Sequence, residues 1–158
     1  MINRLFITDR QNNKRELTDY VDHGVGTKIE WTDGLDRREF EIENSKIFLT
    51  AISPTKREIL VIHGGLNKTA DTLKILNENG TIRFNLKPPI PITPTYLKFK
   101  DKVGDKDATA SLRFVQFGDK VSETSISIWV GFDYDWFESR QLDLKTGEFG
   151  PSNLTGRL

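Results

Sequence analysis

The chain has 158 residues, with 23 basic and 23 acidic side chains, no formal net charge, 36% hydrophobic residues and 10% aromatics. That length fits one domain able to bury most of its unfolded surface. A balanced charge argues against a dedicated nucleic-acid binder, whose phosphate contacts need a basic excess, and the lack of cysteine excludes disulfides, thiolate metal sites and a cysteine nucleophile.

The opening stretch Met1-Ile2-Asn3-Arg4-Leu5-Phe6-Ile7 has no extended apolar core and no small-residue cleavage site, so it does not read as a signal peptide. The longest apolar run, Ile59-Leu60-Val61-Ile62, is far short of the roughly 20 residues a membrane helix needs. A cytoplasmic location is expected, with no membrane association and no cofactor.

Period-two alternation runs from one end of the chain to the other. It predicts strands over residues 2–8, 15–21, 27–31, 38–43, 46–52, 58–63, 72–77, 81–86, 96–100, 110–117, 124–132 and 139–144. Asp9 to Asn13, Asp33-Gly34, Asn79-Gly80 and Thr146-Gly147 supply turn residues between them. Residues 66–76 and 133–142 are the nearest helical candidates, and both compete with strands. The fold class expected is all-β: an antiparallel meander of about twelve short strands with at most one short helix.

Residues 87–94, Lys87-Pro88-Pro89-Ile90-Pro91-Ile92-Thr93-Pro94, form the strongest punctuation in the chain. Four prolines cannot donate to a central ladder, so this is an extended connector. The spacing Pro88-x-x-Pro91-x-x-Pro94 also leaves open a docking motif for a proline-reading domain. The strands fall into groups at 1–45, 46–87 and 95–150 within one β domain of residues 1–158.

Residues 46–94 resemble a kelch-type propeller blade. The strand Glu58-Ile59-Leu60-Val61-Ile62-His63 ends in Gly64-Gly65, and a polar hairpin around Asn79-Gly80 and the proline link follow. Gln141-Leu142-Asp143-Leu144-Lys145-Thr146-Gly147 echoes its second half. The third group has no double glycine and the first only Gly24-Val25-Gly26, while closed propellers use four to eight blades. The resemblance implies repeated four-stranded units. These close within one chain as a sandwich, barrel or partial propeller, or between two chains as a homodimer.

Motifs for chemistry are sparse. His63-Gly64-Gly65 is similar to an esterase oxyanion segment, but no G-x-S-x-G elbow accompanies it. Lys68-Thr69 lacks the preceding glycine of a phosphate loop. Asp101, Asp105 and Asp107 are interleaved with Lys100, Lys102 and Lys106, which suits a solvated hairpin tip better than a calcium loop; no metal site is expected. His23 and His63, with Lys28 or Lys68, are the residue types of a metal-independent ribonuclease or lyase. Trp31, Trp129 and Trp136 are candidate platforms for a carbohydrate or another small ligand.

The densest candidate is Phe132-Asp133-Tyr134-Asp135-Trp136-Phe137-Glu138, following the regular strand Ser125-Ile126-Ser127-Ile128-Trp129-Val130. Continued alternation would put Phe132, Tyr134 and Trp136 on one face and Asp133, Asp135 and Phe137 on the other. Aromatics in such a setting are either core or an interface hot spot steered by the surrounding charge. Between Glu123 and Glu148 six acids face only Arg140 and Lys145, which points to a basic partner. Small, cysteine-free, charge-rich β proteins of this kind look like immunity or inhibitor proteins that neutralise a toxin. A non-catalytic protein-binding domain is therefore the leading expectation, with the histidine enzyme and the small-ligand binder as alternatives.

Overall fold

The computed structural model describes residues 1–158 except 19, 23, 43, 44 and 66–68, together with the side chains of residues 45, 65 and 153. Among the described residues the chain forms thirteen strands and two short helices, an all-β protein built of antiparallel sheets. It divides into two compact units, Met1–Leu86 and Lys87–Leu158.

The first unit holds two sheets. Strands β1 (Ile2–Thr8), β2 (Lys14–Glu16), β4 (Lys28–Asp33) and β5 (Asp36–Glu41) form one, in the order β2-β1-β4-β5. Strands β3 (Val21–Asp22), β6 (Ser45–Ile52), β7 (Glu58–Gly65), β8 (Thr72–Asn77) and β9 (Ile82–Leu86) form the other, in the order β3-β6-β7-β8-β9. Leu5, Ile7, Ile29 and Trp31 point inward from the first sheet and pack with Ile47, Ile59, Val61 and Leu76 of the second. The two sheets thus share one core. The Trp31 indole N–H donates to the Glu78 carbonyl at 2.7 Å, satisfying its polar atom inside that core.

Residues 59–62 are fully buried at every position. This explains why the run is continuously apolar: a strand covered on both faces has no polar side to alternate with. At its end, a side-chain carbon on Gly64 would stand 2.1 Å from the Thr69 carbonyl oxygen. Close backbone approach thus accounts for the first glycine of the pair.

In the second unit, β10 (Arg113–Ser122), β11 (Ser125–Phe132), β12 (Trp136–Asp143) and β13 (Phe149–Arg157) follow one another in a single sheet. Helices α1 (Pro94–Val103) and α2 (Asp105–Ala110) pack Tyr96, Phe99, Val103 and Ala108 around Phe132 and Trp136. The Tyr96 and Phe132 rings meet edge to face at 5.3 Å.

Several expectations are corrected here. There are two helices rather than at most one. Residues 96–100 are helical because Tyr96, Phe99 and Val103 recur at helical spacing, with Pro94 in the first turn, where its missing N–H costs nothing. The expected hairpin tip at residues 100–107 is the junction of the two helices, where Gly104 takes φ +90°. Residues 15–21 divide between β2 and β3, which belong to different sheets. Strand β13 is additional. Pro151, Gly150 and Gly156 disguise it, and its edge position tolerates a residue without an N–H.

Candidate functional site

Residues 132–138 form a hairpin, and the two-residue alternation stops at Phe132. Phe132 closes β11, Trp136 opens β12 opposite it, and Asp133, Tyr134 and Asp135 make the turn. Asp133 adopts φ +52°, a left-handed conformation that aspartate tolerates better than most residues. Its Oδ1 accepts the Tyr134 amide at 2.8 Å. Phe132, Phe137 and Glu138 are buried, Trp136 and Asp133 are half-buried, and Asp135 is exposed. Tyr134 is 91% exposed.

Three elements hold this turn. Arg113 of β10 donates to the Asp133 carbonyl at 2.6 Å and to the Tyr134 carbonyl at 3.2 Å. Ser111, at the end of α2, accepts the Asp133 amide at 3.4 Å. From the end of β13, the Leu158 amide donates to the Asp135 carbonyl at 2.6 Å, and the Arg157 guanidinium lies 3.4 Å from the Asp135 carboxylate and 5.5 Å over the Trp136 ring. Burial pushes the Arg113 guanidinium below its ordinary pKa, against the pull of the Asp133 charge.

The six acids between 123 and 148 do not form one patch. Asp133 and Asp135 sit at the hairpin end, whereas Glu123, Asp143 and Glu148 lie towards the opposite end of the same strands. Glu138 is inside. Its carboxylate accepts the Ile92 amide at 3.0 Å and stands 3.7 Å from Arg140, itself nearly buried. Burial raises the Glu138 pKa, offset in part by the Ile92 N–H, the Arg140 charge and the Ser152 hydroxyl. Arg140 also donates to the Ile90 and Gly150 carbonyls. The connector is therefore bound through its backbone, with Pro91 buried and Ile90 and Ile92 turned outward. Burial withdraws Pro91 from the Pro88-x-x-Pro91-x-x-Pro94 spacing, while Pro88 is half-buried and Pro94 exposed.

Among the other candidates, His23 and Lys68 lie outside the described residues. His63 is buried, with Nε2 3.0 Å from the Lys74 ammonium. The Lys28 ammonium is 2.8 Å from Glu30 and 3.9 Å from Glu39, and those carboxylates raise its pKa. Asp105 is 3.7 Å from Lys100. Trp31 is in the core, and the Trp129 ring stacks on Phe137 at 3.9 Å.

Sequence reasoning missed a concavity of about 540 Å³ on the outer face of the first sheet, lined by Arg4, Phe6, Lys14, Glu30, Arg37 and Arg38 among others. Arg4 makes two bonds to Glu16, at 2.8 and 2.9 Å, and Lys14 pairs with Glu30 at 2.8 Å. Lys14 and Lys28 together hold the Glu30 carboxyl at about 2. The outward positions of the alternating strands, Lys28, Glu30, Arg37 and Glu39, carried the signal for this charged face. No helix among the described residues is long and apolar enough to cross a membrane.

The chain is an all-β protein of three antiparallel sheets, with β3 joining the second sheet from between two strands of the first. No family model matches the chain, and no curated protein does. Among solved structures it is similar to a chain in the structure of Tne2 in complex with Tni2, with a TM-score of 0.65 over 97% of this chain and 98% of that one. The two share 10% sequence identity, so the likeness is one of fold.

Proposed function

We propose that this chain is a protein-binding β domain of the inhibitor or immunity type, and that it meets its partner through the hairpin tip Asp133-Tyr134-Asp135 beside Trp136. One observation carries the proposal: Tyr134 is almost fully exposed on a turn whose backbone is tied down by Arg113, Ser111 and Leu158. Tyrosine is a favoured hot-spot residue, because it covers much area at small entropic cost. The fold likeness to a chain of a two-protein complex supports a protein partner.

Asp133 and Asp135 flank the ring and favour a basic partner, of the kind a toxin-neutralising protein would meet. Of the seven residues read from the sequence, Phe132, Phe137 and Glu138 serve as the footing of this surface. The test is affinity purification from the host cell with wild type and a Tyr134→Ala/Asp135→Ala variant as bait. One stoichiometric basic protein held by wild type and lost from the variant is expected. Equal retention by both would remove the tip from the interface, and a partner of acidic character would remove the toxin class proposed here.

A further inference from the structure

All three carbonyls of the tip have an intramolecular donor, and two of the three are served by one side chain. Arg113 reaches the Asp133 and Tyr134 oxygens together, while the Leu158 amide serves Asp135. The guanidinium is a rigid planar fork, so gripping two successive carbonyls fixes the two peptide planes that meet at the Tyr134 Cα; a lysine ammonium has no such geometry. Space for it and for Val115 exists because residue 131 is glycine: a side-chain carbon there would stand 2.7 Å from the Val115 Cγ2 and 3.0 Å from the Arg113 Cζ. The first peptide so held follows the left-handed Asp133, a conformation that costs a non-glycine residue energy unless its surroundings impose it.

We propose that Arg113 is the positioning residue of the hairpin tip, whose two-carbonyl grip fixes the peptides on either side of Tyr134 and with them the direction in which the Tyr134 ring is presented. A partner then meets a preformed anchor and loses less ordering entropy on binding. The use of this device rests on the function proposed above, but tip order is measurable without any partner.

Nitrogen-15 relaxation of wild type, Arg113→Lys and Arg113→Gln tests it. In wild type the Tyr134 and Asp135 amides should match the strands, with an order parameter of about 0.85; in Arg113→Gln they should fall below about 0.6, with Arg113→Lys between. Gly131→Ala, which keeps Arg113 but crowds its guanidinium, should loosen the same amides. Ile126→Val lowers stability from within the same sheet and should leave the tip ordered. A tip that stays ordered in Arg113→Gln, is already mobile in wild type, or loosens equally in Ile126→Val would overturn the proposal. An ordered tip that captures no partner would instead overturn the proposed function and leave the role of Arg113 standing.

Discussion

Glu138 and Arg140 lie two residues apart on β12 with their charged ends 3.7 Å from each other, on the same face of the sheet as the buried Ile126, Ile128 and Val130. Both also bond to the backbone of the connector, at Ile90 and Ile92, and to β13, at Gly150 and Ser152. A buried ion pair of this kind adds little net stability compared with a well-packed apolar pair, but breaking it strands a charge. Arg140→Met is therefore expected to destabilise the protein by about 3–5 kcal/mol at neutral pH. The loss should shrink in acid, as Glu138 takes up a proton. Urea denaturation at pH 7 and pH 5 reads both effects.

Glu138 and Glu30 should give pH dependences of opposite sign. The folded pKa of Glu138 is raised above its ordinary 4.5, so its contribution is fully present below 4.5 and is lost as pH rises through the folded value. Glu30 is lowered to about 2, so its contribution is present above 4.5 and is lost as pH falls towards 2. Stability curves for Glu138→Gln and Glu30→Gln should diverge from wild type in those separate windows. Parallel curves across both windows would contradict the assignment.

Trp31→Phe removes the indole N–H that satisfies the Glu78 carbonyl. The acceptor is partly buried, so orphaning it costs towards the low end of about 1–3 kcal/mol, and the smaller ring adds a cavity. A fall of that size in unfolding free energy is expected, with the circular dichroism of the sheets unchanged.

Gly64→Ala would set a methyl group against the Thr69 carbonyl. Overpacking of this sort costs about 1–3 kcal/mol, so a lower thermal midpoint is the expected outcome. An unchanged midpoint would show that Thr69 can move aside without cost.

Tyr134→Ala should leave stability within about 0.5 kcal/mol of wild type, because the ring packs on nothing. Trp136→Ala should be costly, since Trp136 packs against the cluster of Tyr96, Phe132 and their neighbours. Full burial of tryptophan is worth about 3–5 kcal/mol, and a half-buried ring about half of that. Tyr134, not Trp136, is thus the clean probe of partner binding, and a chemical denaturation series on the two variants establishes it.

Much of this protein was determined by local pattern. Alternation located β1 and β11, a continuous apolar run located β7, and Asn79-Gly80 and Thr146-Gly147 marked hairpins that the chain does form. The dense aromatic segment was visible too, as residue types at a spacing. Only tertiary structure decided the rest. The helix at 94–103 depends on Phe132 and Trp136 being there to cover Tyr96 and Phe99, and β13 depends on β12 to pair a segment containing Pro151. The six acids looked like one patch because proximity in sequence was taken for proximity in space, but hairpins send successive residues to opposite ends of a sheet. Arg113 and Arg157 reach the tip from strands 20 or more positions away along the chain. No local pattern reports a side chain that distant, and those two arginines are what turn an aromatic run into a fixed turn bearing one exposed tyrosine.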